Sequence, residues 1–173
     1  ATVGRPRGED PPLKRVLLRG GEHGDAVPGT VDEVIGPRHH PRLVFLSGPS
    51  FAREIADQRP TSVTLACHEE AYAISVQTTL SSPWLRCYSH DDVVGVELGG
   101  ALKNVIAIAS GMGDGLGVGD NTRSAVITRG LAELSRLGIA MGGQAQTFSG
   151  LAGMGDLIAT CISPQSRNRT VGV

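Results

Sequence analysis

The chain has 173 residues, a formal charge of −1 and 40% apolar residues, enough for one ordinary globular domain or two parts of larger ones. The charge balance excludes the basic footprint of a nucleic-acid binder, and no apolar run in the sequence approaches the roughly 20 residues of a membrane span. Aromatics make up 3% and glycines number 24, so the core must rest on Val, Ile, Leu and Ala, with tight turns and close backbone approaches.

In chain order, residues 1–40 stand apart. Gly, Pro and mixed charges dominate, and the segment reads as irregular or disordered, as a transit sequence or as mistranslated. Its exceptions are an apolar run, Val16-Leu17-Leu18, and a weak helix at about 30–35. The chain begins at Ala1 without a signal-peptide pattern, so a processed chain or a fragment is expected. At Pro41 the texture changes. Residues 42–47 (RLVFLS) read as a buried strand, 51–58 as a helix, 62–67 (SVTLAC) as a strand, 69–80 as a helix and 84–89 (WLRCYS) as a third strand. This rhythm is α/β, suited to a parallel or mixed sheet. Asp91 or Asp92 can cap a long helix from 93 to about 110. A second helix runs from about 121 to 141, with Asp120 or Asn121 as its cap, and a third from near 150 towards 161. The expected division is 1–40 irregular, 41–90 α/β and 91–173 all-α.

Five stretches carry chemical interest. Glu97 to Val105 (ELGGALKNV) places Lys103 in mid-helix, with Gly99 and Gly100 one turn earlier on its own face. Two glycines inside a helix cost about 1 kcal/mol each, and either ligand space beside the ammonium or close helix packing would compensate. The run 111–121 (GMGDGLGVGDN) reads as a glycine-rich turn between helices; a dinucleotide loop is rejected because a helix, not a strand, precedes it. In 147–161 (TFSGLAGMGDLIATC) Asp156 sits among glycines and apolar residues and needs a partner, for which Lys103 or a helix N-terminus would serve. Ser166-Arg167-Asn168-Arg169 suits a phosphate or a carboxylate, though such a segment taken alone is more often a solvated turn. Gly48-Pro49-Ser50 follows a strand, where ligands of open α/β sheets bind, and reads equally as an ordinary turn. Cys67, Cys87 and Cys161 are far apart with no CxxC pair, so free thiols in a reducing compartment are expected and no metal site; Cys161 has no base beside it to act as a nucleophile.

Taken together, LSGPSFAREI, VELGGALKNVIAIASGMGDGLGVGDNTRSAVITRGLAEL, TFSGLAGMGDLIATC and SRNRTVGV resemble glycerol-3-phosphate dehydrogenase of the bacterial and plastid type, from about Pro41 to Val173. Related 6-phosphogluconate and β-hydroxyacid dehydrogenases typically separate the helix lysine from its asparagine; here Lys103 and Asn104 are adjacent. The resemblance implies a Rossmann-like parallel sheet followed by an all-α domain of the 6-phosphogluconate dehydrogenase C-terminal type. It implies interconversion of dihydroxyacetone phosphate and sn-glycerol 3-phosphate with NAD or NADP, feeding glycerolipid synthesis. By match to the motifs, Lys103 and Asp156 would be catalytic. Gly48, Ser50, Lys103, Asn104, Asp156, Ser166, Arg167 and Asn168 would line the substrate site, and Ala52 and Arg167 would meet the cofactor. The partners implied are a small phosphorylated substrate and a second copy in a homodimer, with no nucleic acid and no membrane, in the cytoplasm or alternatively a plastid.

The departures are the family's GxGxxG turn and its second substrate lysine, a Lys-Gly motif for which Lys14-Arg15 is no equivalent. The chain as written is therefore expected to be a fragment lacking the first part of the nucleotide domain and the end of the helical one. Two further readings compete: a catalytically silent remnant that binds a phosphorylated ligand or a partner subunit, and a mutase or lyase acting on a sugar phosphate without nicotinamide.

Overall fold

The computed structural model describes residues 16–18 and 37–173. Four strands form one sheet in the order β1 (Val16–Leu18), β2 (Val44–Ser47), β3 (Thr61–Ala66) and β4 (Leu85–His90). The three strands expected from sequence are present, displaced by a residue or two. A 3-10 helix at Pro37–Arg42 delays β2, because a proline cannot donate to a ladder. The run Val16–Leu18, read as part of an irregular segment, is instead a strand pairing parallel with β2; three apolar residues carry no period of their own. The weak helix at 30–35 lies outside the described residues.

The sheet is Rossmann-like in its parallel pairs, β1 with β2 and β3 with β4, but β2 and β3 are antiparallel. Of the parallel or mixed sheet expected from the rhythm, the mixed form is the one adopted, and the parallel sheet that the resemblance implies is interrupted at that pair. The link between β2 and β3 holds only the five-residue helix α1 (Ala52–Ala56). Such a helix spans about 7–8 Å, far short of the roughly 20 Å of a six-residue strand. The chain reverses at Gln58, whose φ is 58°, and re-enters the sheet from the same end.

Strand β3 is buried on both faces, and its alternation decides what each face meets. Val63 and Leu65 pack with Val44, Cys87 and with Ala73 and Val76 of α2 (Glu70–Leu80). Ala66 packs on the other face with Val93 and Val96 of α3 (Val93–Gly115) and with Ala152. The sheet is thus a layer between α2 and the helical part.

Of the two aspartates proposed as cap, Asp92 takes the role: its carboxylate accepts from Gly95 N at 2.8 Å. The same buried carboxylate accepts from Gln144 N at 2.8 Å and from the Thr147 hydroxyl at 2.5 Å, so it ties the start of α3 to a loop fifty residues away. Helix α3 runs five residues beyond the expected end and absorbs half of the glycine run. Only the stretch between it and α4 (Gly119–Ala140) is a turn, with Gly117 and Gly119 at positive φ. Neither Asp120 nor Asn121 caps α4; both lie inside it, and Asp120 is ion-paired with Arg123.

The single helix expected from 150 is two pieces that follow the short helix α5 (Ala145–Ser149): a π-helical turn (Leu151–Gly155) and α6 (Asp156–Ile162). The wide turn, closed by Gly155 N on the Gly150 carbonyl at 3.1 Å, lets the backbone at Gly153 nest against Phe148. Helix α7 (Arg167–Gly172) follows. By length and composition α3 alone among the described residues could cross a membrane, contrary to the reading of the bare sequence. It packs on α4, α6 and α7 along part of its surface and leaves Val105 and Met112 exposed.

Candidate active site

Lys103 lies in the middle of α3, and its ammonium meets Asp156 of α6, Nζ to Oδ2, at 2.5 Å. The lysine side chain is 19% exposed and the aspartate 8%. Of the two partners proposed for Asp156, Lys103 takes the role; Asp156 is also the first residue of α6, which continues directly from the preceding helical turn. Burial pushes the Asp156 carboxyl above the usual carboxylate range; Lys103, the Thr160 hydroxyl and the Gly48 amide pull it back only in part. The Gly48 amide comes from the turn after β2, so the carboxylate faces the sheet part as well as the helical part. The site stands at their junction, beyond the end of a strand.

The turn itself is shaped for this. Gly48 has φ of 129°, which an L side chain rarely adopts, and a β-carbon there would sit 3.3 Å from Val63 Cα. Ser50 donates its hydroxyl to the Gly48 carbonyl at 3.0 Å, which fixes the turn. The two glycines before Lys103 divide the readings proposed for them. A β-carbon on Gly99 would lie 2.6 Å from the Ala152 carbonyl, so Gly99 serves close helix packing. Gly100 faces the Ser47 hydroxyl with ordinary clearance, 3.5 Å from the same hypothetical atom, and so leaves room at the mouth of the turn.

The serine–arginine–asparagine segment arrives from the other side. Asn168 donates to Asn104 Oδ1 at 2.7 Å, which joins the residue after the lysine to α7. Ser166 is buried, and its hydroxyl caps α7 by accepting from Arg169 N at 3.2 Å. Arg167 is exposed at the start of α7. Arg169 is directed away, into an ion pair with Asp114 at 2.7 Å. Ala52 is exposed at the start of α1. Glu54 of α1 accepts from Gln165 at 2.8 Å, so α1 and the approach to α7 share one rim.

Two further residues complete the picture. Thr160, one helical turn after Asp156, donates to the Asp156 carbonyl at 2.6 Å and lies 3.3 Å from its Oδ1. The i, i+4 spacing of an aspartate and a hydroxyl on α6 was the available signal, and it went unread. Cys161 is buried beside the same pair; burial pushes its thiol up to about 11, only partly offset by Lys103, so it is no nucleophile.

A sheet remnant of Rossmann type leaning on a helical domain, with a buried lysine–carboxylate pair at the seam, defines the class of two-domain dehydrogenase-like folds. Residues 21–73 match the family model for the NAD-dependent glycerol-3-phosphate dehydrogenase N-terminus, and 92–173 that for the C-terminus. The chain belongs to this family, and the match reaches back to residue 21, beyond the stretch that the motifs alone picked out. It is 60% identical over 141 residues to glycerol-3-phosphate dehydrogenase [NAD(P)+] of Geobacter sp. strain M21, covering 82% of this chain and 42% of the relative. With the Geobacter sulfurreducens protein of the same name the identity is 61% over 148 residues, covering 83% and 44%. The solved structure of the Coxiella burnetii glycerol-3-phosphate dehydrogenase superposes with a TM-score of 0.73 at 45% identity, over 76% of this chain and 42% of that one. The chain therefore spans less than half the length of these relatives.

Proposed function

We propose that this segment forms the substrate and proton-transfer half of a glycerol-3-phosphate dehydrogenase, which interconverts dihydroxyacetone phosphate and sn-glycerol 3-phosphate. The observation that carries the reading is the buried Lys103–Asp156 pair at 2.5 Å. In the reducing direction the Lys103 ammonium donates a proton to the oxygen on carbon 2 of the ketone. In the oxidising direction its neutral amine takes the hydroxyl proton from the same position. Asp156 holds the amine in place and, through Thr160, is itself fixed. Asn104 and Asn168 hold the substrate's polar flank, and Arg167 reaches the phosphate, for which a guanidinium fork is suited. The Ser166 hydroxyl serves by starting α7 at the right place.

A bound nicotinamide dinucleotide supplies the hydride exchange at carbon 2. The small exposed Ala52 and the exposed Arg167, on the rim joined by Glu54 and Gln165, suit contact with it. The product carries two free hydroxyls beside a phosphate ester, the form that acyl transfer needs, so we place the reaction ahead of glycerolipid synthesis. Three buried free thiols suit a reducing compartment such as the cytoplasm. Exposed Val105, Leu116 and Val171 favour a second copy of the chain as a partner.

The test is turnover. A chimera in which residues 41–173 replace the matching segment of the Geobacter sp. relative is expected to oxidise NADH or NADPH when given dihydroxyacetone phosphate, followed by loss of cofactor absorbance. A folded, cofactor-binding chimera without turnover would overturn the reading.

A further inference from the structure

The glycine run that begins at Gly111 takes no part in the chemistry above, yet Gly111 and Gly115 in its helical half pack closely on the end of the chain. Asn104, Ile108, Gly111 and Gly115 follow an i, i+4, i+7, i+11 spacing and form one face of the helix. All four meet α7 or its cap. Asn104 accepts from Asn168; a β-carbon on Gly111 would overlap the Arg169 carbonyl; one on Gly172 would overlap the Ile108 carbonyl; and one on Gly115 would lie 2.6 Å from the Val173 carbonyl. Two backbones in contact fix distance but leave rotation of a short helix open.

Asp114 supplies the missing constraint. Its carboxylate, only 15% exposed, accepts from Arg123 Nη1 at 2.8 Å through Oδ1. Through Oδ2 it accepts from Nε of Arg169 at 2.7 Å, and Nη2 of the same guanidinium completes the ion pair at 2.7 Å. A charge-assisted hydrogen bond from a guanidinium held inside an ion pair is directional. Each residue of a helix turns it by about 100°, so holding Arg169 sets where Arg167 and Asn168 point.

We infer that Asp114 is a positioning residue for the substrate site: through Arg169 it fixes the rotation of α7 and aims Arg167 and Asn168 at the Lys103–Asn104 pair. Asp114 lies three turns, about 16 Å, beyond Lys103 along α3 and touches no substrate itself. The inference rests on the substrate site proposed above.

The test uses the 173-residue chain with uniform nitrogen-15 labelling, titrated with sn-glycerol 3-phosphate. Asp114→Asn is expected to weaken binding about tenfold, the lower range for losing a charge-assisted hydrogen bond. It should also strip exchange protection from the Asn168 side-chain amide. Arg123→Ala, whose own ion pairs are with Asp114 and Asp120, should leave the affinity within about twofold. The pair Asp114→Asn with Arg167→Ala should bind less weakly than the product of the two single losses, since both act in part through the Arg167 contact. An unchanged affinity in Asp114→Asn, or losses that simply multiply in the double variant, would overturn the inference and leave Asp114 as a general stabiliser. If the unsubstituted chain shows no binding at millimolar ligand, the substrate reading falls. The inference is then decided by Asn168 alone: protection lost in Asp114→Asn supports it, protection kept overturns it.

Discussion

Lys103 was legible from sequence because it is the only lysine after Lys14 and sits in an apolar helix beside two glycines. Its partner was legible because a carboxylate among apolar residues demands one. What the sequence could not apportion was the work of Gly99 and Gly100, since both readings ask for the same residue; only the position of the Ala152 carbonyl separates them. In the chimera, Lys103→Ala is expected to lower turnover by roughly two to four orders of magnitude, the usual share of a positioned acid–base group. Lys103→Arg should not restore it, because a guanidinium does not give up its proton at working pH. Near-normal turnover in the alanine variant would make Lys103 structural. Arg167→Ala is expected to raise KM for the phosphorylated substrate by roughly ten- to a hundredfold. An unchanged KM would assign that arginine to the solvated surface.

At the scale of elements, helices and strands followed apolar period and cap chemistry, and their errors have common causes. The end of α3 was misplaced because glycine propensity argues against helix, while packing on α7 outweighs roughly 1 kcal/mol per glycine. The π-helical turn has no period of its own, and a sheet's pairing direction depends on how far a connecting helix reaches. The N-cap at Asp92 was readable as one of two neighbours; its hold on Gln144 and Thr147 was not, because nothing local links residues so far apart. Burial would raise the Asp92 carboxyl, but the Thr147 hydroxyl and the Gln144 and Gly95 amides, with His90, bring it below its ordinary value of 3.8. A lowered folded value means the charge stabilises the fold above the unfolded value and ceases to do so as pH falls through the folded one. Asp92→Asn is therefore expected to cost about 1 kcal/mol or more at neutral pH, and the gap should begin to narrow below about pH 4 and close as pH falls through the lowered folded value. Urea unfolding at neutral pH and near pH 3 measures it. An equal gap at both would show that the charge contributes nothing.

For the whole molecule, the motifs named the family, and the family models extend the match to 21–73 and 92–173. The surface was less legible, because the sequence alone does not tell which apolar residues of α3 face a neighbour. Val105, Leu116 and Val171 are 70%, 79% and 78% exposed, and strand β4 has no second strand partner among the described residues. Such a surface favours association. Sedimentation velocity is expected to show species that grow with protein concentration. Leu116→Gln with Val171→Gln should reduce them, with unfolding shifted by no more than about 0.5 kcal/mol for each exposed site. A monomer at all concentrations would remove the self-association part of the proposal.

The central claim is that Lys103 faces a phosphorylated three-carbon substrate, and the composition offers a direct probe. The chain has only two lysines, Lys14 and Lys103, so carbon-13 at lysine Cε gives two signals. On titration with sn-glycerol 3-phosphate, the Lys103 signal is expected to move and saturate while Lys14 stays in place, and Asp156→Asn should abolish the response. Inorganic phosphate should move it far less. A Lys103 signal that stays put at millimolar substrate, or two lysine signals that drift together, would contradict the account.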